Sequence, residues 1–259
     1  YKLMSRMKKF LILLLLISSL NYAQNQKLKL VWEENFDSKT LNSDSWNFDI
    51  GNGCPNLCGW GNNERQIYTD TNHGLKDGNL IIQAKLENEV FTSTKITTKG
   101  KKQFLYGRFE ARAKLPVGHG LWPAFWMLGS NISTIGWPKC GEIDILEYIG
   151  REPHMVFTSL HTQDSHGETI NTKKTKFENI EEGYHIYAMD WTKDKIEFFV
   201  DSKLVYTFQP SVKNNDTWPF NQPFYLIVNL AVGGNFGGPE VDKSVFPQQF
   251  NIDYIKVYQ

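Results

Sequence analysis

The chain has 259 residues, with 28 basic and 28 acidic side chains. Residues 1–23 hold four bases (Lys2, Arg6, Lys8, Lys9) and no acid, so the remainder carries 28 acids against 24 bases, a net charge near −4. That balance excludes a nucleic-acid binder, which needs a basic face. An apolar content of 41% without a short repeat excludes collagen, coiled coil and disorder.

In chain order, Met7-Lys8-Lys9 and the apolar run Phe10 to Ile17 read as a signal peptide over residues 1–23, with Met4 or Met7 the expected start and Ala23 the expected cleavage position. The run is too short for the ~20 residues of a membrane-spanning helix. No cysteine follows it to carry a lipid anchor. A secreted protein without a membrane anchor is the expectation.

Segments with period-two alternation then recur, separated by Gly, Pro, Asn and Asp. The expected strands are 28–33, 79–86, 91–97, 104–114, 122–128, 142–148, 156–161, 184–190, 195–200, 203–208, 224–232 and 251–258. Val200-Asp-Ser-Lys-Leu204 reads as a hairpin turn, and Phe177–Gly183 offers at most one helical turn. Between the first two strands lies Gly51-Asn-Gly-Cys-Pro-Asn-Leu-Cys-Gly-Trp60, a loop able to close a Cys54–Cys58 bridge and leave Cys140 free. A pairing of Cys140 with either loop cysteine stays open, and the spacing offers no fourth partner for a cysteine-based metal site. Many strands without crossover helices give an antiparallel sandwich or barrel. Residues 24–259 show no linker and read as one domain.

The most informative stretch is Cys140-Gly-Glu142-Ile-Asp144-Ile-Leu-Glu147-Tyr148. In a regular strand Glu142 and Asp144 share one face while Glu147 points with the isoleucines into a core, which costs several kcal/mol for an unpaired charge. One extra residue, a β-bulge near Ile145–Leu146, returns Glu147 to the face of the other two acids. Clustered carboxylates raise one another's pKa. Two carboxyl groups with separated pKa values suit cleavage of a glycosidic bond, one as acid and one as base or nucleophile. An acidic strand edge or a divalent-cation site is the competing reading. The aromatic residues favour a carbohydrate cleft. Trp122 and Trp126 share one face of their strand, with Phe125 and Met127 on the other, and Trp137 lies in the loop leading into the acidic strand.

These residues resemble the signature of glycoside hydrolase family 16, in the bulged form of laminarinase-like members. Gly59-Trp-Gly-Asn-Asn-Glu64, Tyr106-Gly-Arg-Phe-Glu-Ala-Arg112, Leu121-Trp-Pro-Ala-Phe-Trp-Met-Leu-Gly129, Asn229-Leu-Ala-Val-Gly-Gly-Asn235 and Asp253-Tyr-Ile-Lys-Val-Tyr258 extend the likeness over roughly residues 28–259. The resemblance implies a jelly-roll β-sandwich of two antiparallel sheets with a concave substrate cleft. It implies Glu142 as nucleophile, Glu147 as general acid/base, and Asp144 between them as the group that tunes their protonation. Asn52, Arg108, Trp122, Trp126 and Trp137 match sugar-binding positions, and His161 is expected near the acid/base. A structural Ca²⁺ is implied at the backbone of Asn35 and Gly78 and the carboxylate of Asp253, and no cofactor is implied for catalysis. The expected activity is endo-cleavage of β-1,3-glucan with retention, by a monomer. Mixed-linkage glucanase, agarase and carrageenase are the rivals within the family, although a slightly acidic chain suits a sulfated galactan poorly. A non-catalytic sugar-binding sandwich would have no need of all three acids at this spacing.

Overall fold

The computed structural model describes residues 28–259, so the signal peptide expected at the N-terminus lies outside the described residues. Alternation along the chain builds two stacked sheets. In the strand β8 (Gly107–Lys114), Phe109, Ala111 and Ala113 are buried while Arg108, Glu110 and Arg112 point the other way. In the facing strand β9 (Leu121–Gly129), Phe125 and Met127 are buried and Trp122 and Trp126 look outward. Burying these opposed apolar faces against each other supplies the driving force for the sandwich.

One sheet has ten strands and runs through β8, with β17 (Gln248–Tyr258) and β13 (His185–Trp191) as its neighbours. The other has seven, in the spatial order β12 (Thr172–Lys176), β11 (Met155–His161), β10 (Glu142–Glu147), β9, β16 (Phe224–Val232), β7 (Lys95–Thr97) and β2 (Asn47–Asp49). Pairing is antiparallel except for β3 (Gln66–Tyr68), which runs parallel to β6 (Val90–Ser93). The architecture is the all-β jelly-roll sandwich. The core between the sheets includes Phe109, Phe125, Met127, Ile143, Trp191 and Phe224. Among the described residues no helix is long and apolar enough to cross a membrane.

The expected strand 91–97 is two strands. Val90–Ser93 belongs to the larger sheet and Lys95–Thr97 to the smaller, with the chain crossing at Thr94, whose hydroxyl donates to the Thr69 carbonyl at 2.8 Å. An unbroken apolar alternation does not record which sheet each half joins. The expected strand 104–114 starts only at Gly107, after Tyr106 takes φ +61°. The short strands β2, β3, β4 (His73–Lys76) and β12 escape prediction because their alternation is weak or polar. Phe177–Gly183 forms turns and no helix. The hairpin at Asp201-Ser202 forms as expected, with both residues at positive φ (+47° and +66°), the backbone of a tight two-residue β-turn. A disulfide joins Cys54 to Cys58, and Cys140 is buried and unpaired.

Candidate active site

The outward face of the seven-stranded sheet carries the acids. In β10, pairing with β9 slips between Asp144 and Leu146, and pairing with β11 slips between Asp144 and Glu147. Ile145 and Leu146 both sink into the core, and Glu147 emerges on the face of Glu142 and Asp144. The bulge expected from the spacing is therefore present, and its effect is the predicted one.

Each terminal acid is held by an indole. Trp122 Nε1 donates to Glu147 Oε1 at 3.0 Å, and Trp137 Nε1 donates to Glu142 Oε2 at 2.9 Å. The Ser159 hydroxyl stands 3.4 Å from Glu147 Oε2 and itself accepts from Thr172. Asp144 is buried between the two glutamates in the strand. Burial, then the charge of Asp144, pushes the Glu142 carboxyl up to about 7, against the opposing pull of His161 and the Trp137 N–H. The same two causes push Glu147 well above the ordinary carboxylate range, with Glu142 adding to them. Both carboxyl groups of the pair therefore hold a proton more readily than a free glutamate.

His161 sits closer to the other end of the motif than expected. Its Nε2 is 3.1 Å from Asp144 Oδ2 and 3.6 Å from Glu142 Oε1. The Gly167 N–H donates to Nδ1 at 3.1 Å, so Nδ1 offers a lone pair and the ring proton is on Nε2, facing the carboxylates. The three acids raise the imidazole to about 9 against its burial, but a second ring proton would have to break the Gly167 bond. Donor atoms of Glu142, Asp144 and His161 lie within 4.8 Å of one another, a grouping that would suit a metal ion. The proton on Nε2 leaves that nitrogen without a lone pair for a metal in this tautomer, and places it as a polar neighbour of the two acids.

Beyond β10, the same outward sheet face continues across β9, β16 and β7. Trp126 Nε1 donates to Asn229 Oδ1 at 2.7 Å, and Asn229 Nδ2 donates to Tyr68 OH at 3.0 Å. Lys95 is nearly buried, 3.3 Å from Asp49, with its ammonium 4.3 Å from the Trp60 ring centroid and 5.3 Å from that of Trp126. Sequence pattern alone does not mark Lys95, Trp60, Glu64 and Tyr68 as site residues. They come from separate loops and strands, and only the fold brings them together. Trp137 is 45% exposed, with its ring edge-on to His166, and presents a free apolar surface beside Glu142.

Two expected sugar contacts behave differently. Arg108 lies in β8 of the ten-stranded sheet, where it pairs with Glu110 at 2.6 Å and Asp190 at 2.9 Å. It is on the far side of the core from the acids and is not a cleft residue. Alternation correctly turns it outward, but from the other sheet. Asn52 is exposed, and its Oδ1 accepts from the Cys54 N–H within its own loop.

The residues expected as calcium ligands lie in or beside the ten-stranded sheet. Strand β17 pairs with β5 (Asn79–Glu87) as far as Ile252–Leu80 and with β1 (Leu30–Glu34) from Ile255–Glu34. Asp253 falls between these pairings, where Asn35 leaves β1 and Gly78 enters β5. A Cβ on Gly78 would stand 3.2 Å from Asp37 Oδ1 and 4.0 Å from the Asn35 carbonyl oxygen, so oxygens converge there. Asp253 Oδ2 accepts from Arg112 at 2.5 Å. An all-oxygen set fits a hard cation.

A β-sandwich that sets two carboxyl groups of raised proton affinity among indole rings on one sheet face is a glycoside hydrolase. The family model for glycosyl hydrolases family 16 matches residues 61–256, and the chain belongs to that family. It is 40% identical to a β-glucanase of Rhodothermus marinus, over 89% of this chain and 85% of that protein. It is 38% identical to a glucan endo-1,3-β-glucosidase of Cryptopygus antarcticus, over 88% and 90% of the two chains. The crystal structure of a laminarinase from Flavobacterium sp. UMI-01 is 68% identical and superposes with a TM-score of 0.88, covering 89% of this chain and 100% of that one.

Proposed function

We propose that the protein hydrolyses internal β-1,3 linkages of laminarin-type glucan with retention of configuration. The observation that carries this reading is the bulge that sets Glu142 and Glu147 on one face, each bonded to an indole N–H. The named relatives, a β-glucanase, a glucan endo-1,3-β-glucosidase and a laminarinase, support the linkage. Glu142 attacks the anomeric carbon. Glu147 protonates the leaving oxygen and then takes a proton from the water that releases the glycosyl-enzyme ester. Asp144, buried between them, raises the proton affinity of both glutamates and so tunes their protonation, with His161 Nε2 3.1 Å from its Oδ2. Trp122, Trp126 and Trp137 offer faces and edges to the sugar rings, with Asn52 at its own loop. The enzyme is exported by its N-terminal signal as a monomer. A structural Ca²⁺ bound by Asn35, Gly78 and Asp253 ties β1 and β5 to β17, away from the cleft.

The test is release of reducing ends from laminarin by the mature chain beside Glu142→Gln. Release that the substitution lowers by ~10⁴-fold or more fits a missing nucleophile. No release from laminarin by the unsubstituted chain would overturn the linkage. A glycosyl ester trapped on any residue other than Glu142 would overturn the assignment of roles.

A further inference from the structure

Glu64 lies outside the catalytic group, yet it is a half-buried carboxylate with three side-chain donors. Gln66 Nε2 donates to its Oε2 at 2.6 Å and Tyr68 OH to the same atom at 3.2 Å, while Asn62 Nδ2 is 3.4 Å from Oε1. Gln66 is itself fixed, because its Oε1 accepts from the Val232 N–H at 2.7 Å. Following the bonds from the cleft inward gives Trp126 to Asn229, Asn229 to Tyr68, and Tyr68 to Glu64. The direction of this chain is forced. An indole N–H can only donate, so the Asn229 oxygen must face Trp126 and its NH₂ must face Tyr68. The Tyr68 oxygen then accepts, and its proton has to find an acceptor elsewhere. Glu64 is that acceptor.

We propose that Glu64 is a positioning residue that fixes the Trp126 indole in the substrate cleft by terminating this one-way hydrogen-bond chain. The role rests on the glucan-cleaving reading of the cleft. Tyr68 and Gln66 are buried at 1% and 0% exposure, so water cannot replace a missing partner without entering the fold. Loss of the terminal acceptor leaves the Tyr68 proton unpaired and frees Asn229 to reverse its amide. Trp126 is then no longer held in one plane. Trp126 faces Asp144 across the β9–β10 pairing, but its N–H is bonded to Asn229 and to neither glutamate, so the consequence falls first on substrate binding.

The experiment compares Glu64→Leu, Glu64→Gln and Tyr68→Phe on laminarin oligosaccharides long enough to fill the cleft, with kcat and KM measured separately. Tyr68→Phe keeps the ring packing and cuts the chain, so KM rises about tenfold with kcat within about twofold. Glu64→Leu gives the same pattern, and the Leu/Phe double variant is no worse than either single one, since both cut one chain. Glu64→Gln keeps an accepting oxygen and restores KM to near its starting value. If Glu64→Leu does not fold, Tyr68→Phe alone decides. Unchanged KM in Tyr68→Phe, or an equal fall in kcat, overturns the positioning role while leaving the enzyme reading intact. An unsubstituted chain that is inactive on every oligosaccharide overturns both.

Discussion

The indole N–H of Trp137 donates to Glu142 Oε2 at 2.9 Å while nearly half of the Trp137 side chain remains open to solvent. One residue thus offers a flat surface to a sugar and a hydrogen bond to the nucleophile. A donor to the ionised form lowers a carboxyl pKa. Trp137→Phe keeps the flat ring and removes the donor, so the Glu142 carboxyl, already raised to about 7, moves higher. Glu142 must be ionised to attack, so the acidic limb of the kcat/KM profile should shift to higher pH. Trp137→Ala should shift that limb in the same way and also raise KM. A limb that stays in place for both variants would separate Trp137 from Glu142 function.

Trp122 makes the complementary contact with Glu147, at 3.0 Å. Here too the N–H favours the ionised form, but the task of Glu147 begins with a proton in place. Trp122→Phe should therefore hold Glu147 protonated to higher pH and move the alkaline limb upward. The two indole variants act on opposite limbs of one bell-shaped curve. The carboxyl groups titrate as an interacting set, so each limb reports the set and not one residue alone.

Removing Glu147 itself should be felt according to the leaving group. Glu147→Ala should lower turnover of laminarin by at least ~10²-fold, the lower end of general acid catalysis. Aryl glycosides with acidic phenols need little protonation, so their bond-breaking step should be much less affected. Azide, which needs no general base, should speed release of the trapped intermediate. Equal losses on both substrate types would argue that Glu147 is not the acid.

Arg108 and Lys95 show which parts of the site the sequence discloses. The bulge in β10 is readable because three acids in a β-branched run can share a face only if one residue is extra. The outward turn of Trp122 and Trp126 is readable from alternation in the same way. The family resemblance implies a sugar contact for Arg108, and alternation cannot test it because it does not say which of two sheets a strand joins. Lys95, Glu64 and Tyr68 meet only after β3 and the loop before it fold over the edge of the seven-stranded sheet, a contact with no local sequence signal. Arg108→Ala should leave kcat and KM on laminarin unchanged. Its two partners are partly solvent-exposed, so the loss of stability should be about 1 kcal/mol or less, read from denaturant unfolding. A marked rise in KM would return Arg108 to the substrate.

The proposed calcium ligands make a prediction that separates stability from catalysis. Asn35, Gly78 and Asp253 lie in or beside the ten-stranded sheet, across the core from the acids. A cation bound only by the folded chain stabilises it by about 2.7 kcal/mol at a hundredfold excess over Kd. For a chain of this size that corresponds to a rise in Tm of roughly 5–10 °C. Metal-free protein titrated with Ca²⁺ should show the rise, and Mg²⁺, which demands tighter octahedral geometry, should give less of it. Asp253→Asn removes the one charged ligand and should abolish the rise. It also takes a charged partner from Arg112, so its metal-free Tm is compared with that of Arg112→Gln to isolate the cation effect. In all of these proteins kcat on laminarin, measured well below Tm, should be the same with and without Ca²⁺. A Tm indifferent to Ca²⁺ would remove the cation from this site, and a kcat that follows Ca²⁺ would place it at the cleft.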